Sequence, residues 1–232
     1  MQTHFEKELS SLKEKLLTMA SHAEAAVKNA IEAYLKRDYD LAQRVRDDDA
    51  ILDRFEIEID EMAIQLLSKA PLASDLRLIA TAMKISQNLE RVGDEAAKIS
   101  NRARDLSQEP PLKSGADIPK MADLALAMLK GALDAFVNHD PAAARATIPK
   151  DKEVDALNKQ IHRELADQMT KSSDNIPRCL NLMVIAKRLE RIADHATNIA
   201  EEVVYLCEAQ DIRHTHALAG GAGPEQSSGA TQ

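Results

Sequence analysis

The chain has 232 residues and a formal net charge of −8; 44% of its residues are hydrophobic, 29% are charged and only 3% are aromatic. This composition is typical of a globular protein and excludes a disordered one. Aromatic strand formers are scarce and four of the seven glycines lie after residue 219, so the composition favours an all-α fold. The negative charge argues against nucleic acid as a partner.

The sequence offers no segment suited to crossing a membrane. Its longest uninterrupted apolar run is the six residues 124–129, whereas a membrane-spanning helix needs roughly 20. The first 16 residues are charged and amphipathic and lack the apolar core of a secretory signal. We therefore expect a cytoplasmic protein.

Prolines and lapses in apolar periodicity divide the sequence into predicted helices. Six are expected, over residues 3–36, 39–69, 73–107, 117–139, 141–171 and 175–209. A helix of 33 residues is roughly 50 Å long, which is typical of the rods of a helical bundle. The low-complexity segment 211–232 is predicted to be a disordered tail.

An internal repeat relates the two parts of the chain. The heptad stripe of the third predicted helix, which includes Leu89 and Val92, recurs 100 residues later with Leu189 and Ile192. Earlier helices match at an offset of 102, where Leu52, Phe55 and Ile59 correspond to Val154, Leu157 and Ile161. The sequence therefore predicts two tandem, structurally similar three-helix bundles, residues 1–110 and 111–210, joined by a proline-rich linker.

Each repeat also carries two pairs of acidic residues spaced four apart. These pairs are Asp49 with Asp53, Glu90 with Asp94, Asp151 with Asp155 and Glu190 with Asp194. Like charges at this spacing destabilise a helix by about 0.2–0.5 kcal/mol, and a hard cation such as Mg, Mn or Fe would offset that repulsion. About six such pairs are expected by chance and six are present, so the spacing alone is not evidence for a site. The informative observation is that four of the six pairs occupy equivalent positions in the two repeats.

The acidic pairs have three interpretations from the residues alone. If Leu89 is a core position of the heptad, Glu90 and Asp94 fall on the outer face and form a solvated acidic surface. The pairs of the second and fifth helices flank the core stripe, so neighbouring helices would instead present four carboxylates to one groove as a metal site. Arg91 and Arg191 follow the glutamates and offer plain salt bridges as the third explanation.

No pattern typical of an enzyme is present. The sequence lacks a nucleophile and base arrangement, a phosphate-binding glycine loop and paired zinc cysteines, and it does not match the ferritin-like di-iron pattern. A non-enzymatic interaction protein is therefore favoured. The alternatives are a helical carboxylate metalloprotein for iron storage or redox chemistry, and a membrane-surface scaffold, for which the required basic amphipathic helix is missing.

Two motifs resemble the two half-signatures of the PhoU family. Residues 71–77 (PLASDLR) and 88–94 (NLERVGD) resemble the first, and residues 187–205 (KRLERIADHATNIAEEVVY) resemble the second more closely. The resemblance extends over residues 5–209. Two departures are Ala193, where the family usually has Gly, and Glu95, where it often has His.

The resemblance implies a cytoplasmic negative regulator of phosphate uptake and of the phosphate-starvation response. Such proteins are usually homodimers, are not enzymes and associate with membranes only through partners. They link the ATPase subunit of the phosphate transporter to a membrane sensor histidine kinase. Some members bind multinuclear metal clusters, of Fe, Mn, Mg or Zn, through E/D-x-x-x-D motifs. Carried over to this sequence, those motifs fall on Asp49, Asp53, Glu90, Asp94, Asp151, Asp155, Glu190 and Asp194.

Overall fold

The computed structural model describes residues 4–70, 72–112 and 115–213. These residues form eight α-helices and no strand, which confirms the predicted all-α class. The helices are α1 (His4–Lys36), α2 (Tyr39–Asp47), α3 (Ala50–Leu67), α4 (Ala73–Ser107), α5 (Ile118–Asn138), α6 (Pro141–Thr147), α7 (Asp151–Lys171) and α8 (Ile176–Glu208). No described helix is both long enough and apolar enough to span a membrane. Most of the predicted tail, residues 214–232, lies outside the described residues.

Each half contains three rods, and the middle rod is broken. The expected continuous helices over 39–69 and 141–171 are therefore wrong, because α2 is separated from α3 and α6 from α7. In the first half the break falls at three successive aspartates, 47–49, which have low helix propensity and repel one another. In the second half it falls at the 3-10 turn Ile148–Lys150, where Pro149 has no N–H to donate.

The first rod of each half ends in the same way. Arg37 and His139, at equivalent positions, adopt left-handed φ values of 55° and 50°. The following aspartates, Asp38 and Asp140, cap the next helix, and their carboxylates accept hydrogen bonds from backbone N–H groups of its first turn. The repeat therefore extends to the details of helix termination.

Helices α4 and α8 lie at the centre of the molecule and pack against each other. Lys84 of α4 contacts Glu202 of α8, and Arg102 contacts Asn181, so the two helices run antiparallel. Each central helix also packs against the other rods of its own half, and α1 contacts α5. The apolar stripes of both helices are buried, and Leu89 and Leu189 at their centres are both 0% exposed. Two similar helical bundles are thus joined along one long contact, which we call the α4/α8 seam.

Candidate carboxylate sites and the polar seam

The first four predicted site residues lie together where α3 begins. Asp49 and Asp53 occupy the start of α3, and Glu90 and Asp94 lie on the adjoining face of α4. The structure brings their charges close enough to interact across the two helices. These residues are called the first carboxylate cluster.

A glycine permits this close approach of α3 to α4. A Cβ atom added to Gly93 would overlap Cδ1 of the buried Leu52 and would lie 3.2 Å from Oδ1 of Asp49. A side chain at this position would therefore require Leu52 or the start of α3 to shift.

Burial and like charges shift the pKa values of the first cluster. Burial raises the pKa of Asp49 to about 6, and the charges of Asp94 and Asp53 add to the shift. Burial also raises the pKa of Glu90, against the opposing effect of Arg91. The Glu90 side chain is only 14% exposed, so its predicted place on a solvated outer face is wrong. It faces α3 instead.

The other four predicted site residues form the second carboxylate cluster. Asp151 and Asp155 lie in the first turns of α7, and Glu190 and Asp194 lie on α8. Burial raises the pKa of Asp151 to about 6, followed in effect by the charges of Asp194, Asp155 and Glu190. Burial and the neighbouring Glu190 charge raise the pKa of Asp194 as well. The two halves thus share both the positions of the four carboxylates and the raised pKa of the first aspartate.

Basic side chains partly neutralise the clusters. The predicted pair of Arg91 with Glu90 is present, whereas among the described residues Glu190 pairs with Lys187 and not with Arg191. Arg91 places Nε 3.3 Å from Glu90 Oε2 and Nη1 3.6 Å from Asp94 Oδ2. In the second half Arg191 Nη1 lies 3.8 Å from Asp194 Oδ2. These pairs lie within one helix and are half exposed on the arginine side, so each contributes at most about 0.5 kcal/mol.

The two clusters provide carboxylate oxygens that could bind a metal ion, but these oxygens do not surround a single coordination site. Glu90 Oε2 and Asp151 Oδ1 are buried and accept no hydrogen bond from the described residues. Within those residues, however, no three His, Cys, Asp or Glu side chains are placed to hold one ion. Ligation of a single cation by three of the carboxylates therefore requires side-chain rotation.

The two clusters differ in residues that the sequence-based prediction did not include. Glu56 interacts with the first cluster, whereas its counterpart at offset 102 is Asn158. Asp48 is likewise replaced by Lys150. Asp48 and Asp49 also line a cavity of about 180 Å³ together with His22. The first cluster is consequently the more acidic of the two.

The α4/α8 seam contains two polar contacts at equivalent positions of the repeat. On one side Arg188 Nη1 donates to Glu95 Oε2 at 3.2 Å, and Lys98 Nζ donates to the other oxygen of Glu95 at 2.9 Å. On the other side His195 Nδ1 lies 3.0 Å from Asn88 Oδ1. Since Glu95 corresponds to His195 and Asn88 to Arg188, a charged pair and a neutral pair fill the same place in the two halves.

A third polar contact lies further along the seam. The buried carboxylate of Glu202 accepts hydrogen bonds from Lys84 at 3.0–3.1 Å and from Arg213 at 3.2 Å. Beside it is an open cleft of about 590 Å³, lined also by Asn88 and Asn198. The sequence patterns identified Glu95 only as a departure from the family motif and did not predict its contact with Arg188 across the seam. The signal that could have found it is the coupled change of both positions between the repeats.

Comparison with known proteins places both halves in one family. The model of the PhoU domain matches the chain twice, at residues 16–103 and 118–203. A phosphate-specific transport system accessory protein PhoU homolog from Pseudomonas putida is 38% identical over 212 residues, which cover 90% of this chain and 83% of the relative. The corresponding protein of Pseudomonas aeruginosa is 39% identical, with 90% and 88% of the two chains covered.

Solved structures agree with this assignment. The crystal structure of PhoU from Pseudomonas aeruginosa superposes with a TM-score of 0.86 at 38% identity, and covers 89% of this chain and 100% of that one. The phosphate transport system regulatory protein PhoU from Streptococcus pneumoniae gives a TM-score of 0.84 at 28% identity, with 90% and 99% covered. The repeated domain, the conserved length and the shared fold together show that this chain belongs to the PhoU family.

Proposed function

We propose that the protein is a cytoplasmic negative regulator of phosphate uptake and of the phosphate-starvation response. In this role it is an adaptor that contacts the ATPase subunit of the phosphate transporter and a sensor histidine kinase. The observation that carries the proposal is the match of both halves to the PhoU domain, together with relatives named as accessory proteins of the phosphate-specific transport system. Membrane association then occurs only through these partners, and the working form is a homodimer.

The physical basis of the proposed role is differential binding. An adaptor transmits a signal only if its affinity for one partner depends on the state of the other. Two bundles joined along a seam with buried polar contacts offer a joint between two binding surfaces, because such contacts prefer one alignment of α4 and α8.

Deletion of the protein should leave phosphate-responsive genes expressed when phosphate is plentiful. The kinase would lose the contact that reports the state of the transporter. Transcript levels of those genes, measured in high and low phosphate, check this expectation, and expression of the intact chain from a plasmid should restore repression. Normal repression in the deletion strain would overturn the proposed function.

We also propose that the two carboxylate clusters bind metal cations, with Fe, Mn, Mg and Zn as candidates. The residues that would hold them are those of the two clusters defined above. The buried Oδ1 of Asp151, which accepts no hydrogen bond from the described residues, favours this proposal, because a cation would satisfy its charge and its lone pairs. Oε2 of Glu90 also accepts no hydrogen bond from them, although it lies 3.3 Å from Nε of Arg91. When bound, the ion supplies positive charge that offsets carboxylate repulsion. Oxidase turnover or bulk iron storage by the purified protein would instead favour the rival metalloprotein function.

Replacing Asp49 and Asp151 by Asn should stabilise the metal-free protein at pH 8 by about 1 kcal/mol per site. Each folded-state pKa is near 6 against an ordinary 3.8, so ionisation of each carboxyl costs stability progressively as the pH rises from about 3.8 to about 6, and the full cost is present above pH 6. The full shift would correspond to about 3 kcal/mol, and half-exposure of both groups reduces it. The gain should nearly disappear near pH 3, below the ordinary pKa of 3.8, where both carboxyls are largely protonated in the folded and unfolded states. Urea unfolding at the two pH values measures it.

The same double variant also tests whether Asp49 and Asp151 bind a metal ion, in addition to repelling their neighbouring carboxylates. Added Mn²⁺ should raise the melting temperature of the unaltered protein, and the double variant should lose most of that rise. Asp134→Asn is the matched control, since Asp134 is 59% exposed, forms its ion pair among the described residues with Lys130 and lies outside both clusters. An equal response to Mn²⁺ in all three proteins would contradict the metal proposal.

A further inference from the structure

The outer face of α3 carries exposed apolar side chains that the fold does not use. Ile57 and Ile64 are 58% and 63% exposed, and they lie two turns apart on the same face of the helix. Glu61 lies between them and is exposed. We call these three residues the α3 ridge.

The second half shows that the fold does not require this ridge. At offset 102 the corresponding positions are Lys159, Arg163 and Ala166, all of them exposed on α7. An exposed isoleucine is also a poorer helix former than lysine, arginine or alanine. The isoleucines therefore cost helix stability, and with more than half of each side chain exposed they gain little from packing within the described residues, which points to a use outside this chain.

More apolar side chains are exposed where α3 turns into α4. Leu67 lies about one turn after Ile64 and is 38% exposed, and Leu72 and Leu76 are 61% and 42% exposed. Single exposed apolar residues are common on protein surfaces, but a series along one helix and its following turn is typical of an interaction site. The apolar surface thus continues beyond the ridge toward one end of the first half.

The charge of α3 indicates the kind of surface that would cover it. Between Ala50 and Leu67 there are five carboxylates and one arginine, whereas α7 carries five carboxylates and four lysines or arginines. An apolar ridge with an acidic residue at its centre and acidic flanks is complementary to an apolar groove rimmed by basic side chains.

We propose that the α3 ridge docks into a basic-rimmed apolar groove on the ATPase subunit of the phosphate transporter. The inference rests on the proposed function, which makes that subunit a partner. It adds that the first half makes the contact and that the basic face of α7 does not. Ile57 and Ile64 supply the apolar anchors, and Glu61 faces the basic rim.

The test measures binding of the purified full-length chain to the purified ATPase subunit. The variant Ile57→Lys/Ile64→Ala gives α3 the residue types that α7 carries, and it should weaken binding about tenfold or more because two apolar anchors are lost. The control Val137→Lys/Leu180→Ala makes the same chemical changes at side chains that are 51% and 52% exposed elsewhere. Its affinity should stay within about twofold of the unaltered protein.

Two further measurements keep the inference falsifiable. Circular dichroism should show unchanged helicity in both variants, and Glu61→Lys should independently weaken binding at low salt, with a smaller effect at high salt. Equal affinity of the Ile57→Lys/Ile64→Ala variant and the unaltered protein would overturn the inference. Loss of kinase binding alone, or loss of self-association alone in sedimentation, would also overturn it by assigning the ridge to another occupant. If the unaltered protein bound neither subunit nor kinase, the proposed function itself would fail.

Discussion

Replacing Glu95 by Ala should lower the free energy of unfolding by about 2 kcal/mol, while His195→Ala should cost about 1 kcal/mol or less. Glu95 is 7% exposed and pairs with both Arg188 and Lys98, so its loss leaves Arg188 without this carboxylate and Lys98 with only its longer contact to Asp94 at 3.4 Å. These cations are 34% and 42% exposed and recover some hydration, which keeps the cost below that of a fully buried pair. His195 forms a single contact with the neutral side chain of Asn88.

A double substitution tests whether the pairing itself matters. Glu95→His combined with Arg188→Asn gives both sides of the seam the same histidine and asparagine pair. It should be more stable than Glu95→His alone, which would place a histidine beside Arg188 and Lys98. Urea unfolding followed by circular dichroism measures all four proteins of the cycle. Equal costs for Glu95→Ala and His195→Ala would show that the charged and neutral pairs are energetically equivalent.

The rods and their repetition could be predicted because they depend on local patterns. Apolar spacing and prolines locate helix ends within a few residues, and equivalent stripes 100 residues apart reveal the duplication. The breaks in the middle rods were missed although Pro149 signals one of them. Because the halves are repeats, that proline could also have indicated a break at the aspartates 47–49. Repulsion among three adjacent carboxylates costs a single helix little. Whether the helix breaks there therefore depends on how α2 and α3 pack against the rest of the fold.

The sequence predicted which residues form the clusters but not how deeply those residues are buried. A heptad pattern describes a helix that packs along one face only. The pattern therefore placed Glu90 on the outer, solvated face. Helix α4 has neighbours on several sides, namely α1, the α2 and α3 rod, and α8, so a wider part of its surface is covered. The contact of Glu95 with Arg188 depends on the antiparallel register of α4 and α8, which no spacing within one helix specifies.

Gly93→Ala should destabilise the first half. The equivalent residues of the second half indicate which second substitution should restore the stability. Gly93→Ala gains up to about 1 kcal/mol of helix propensity, but the new methyl overlaps Leu52 Cδ1 in a closed environment, and overpacking of this kind costs about 1–3 kcal/mol. We expect a net loss of about 1 kcal/mol. The equivalent positions of the second half are Ala193 and Val154, both buried. There a larger residue on α8 is matched by a smaller one on α7.

Leu52→Val should therefore rescue Gly93→Ala. Separately, Leu52→Val costs about 1 kcal/mol through lost apolar contact. Combined, the two substitutions should be about 2 kcal/mol more stable than the sum of their separate effects predicts, because the valine leaves space for the methyl. Denaturant unfolding of the four proteins measures this coupling. A coupling near zero would show that α3 yields to the methyl by moving as a whole, in which case the pKa of Asp49 should fall toward its ordinary value as the first cluster opens.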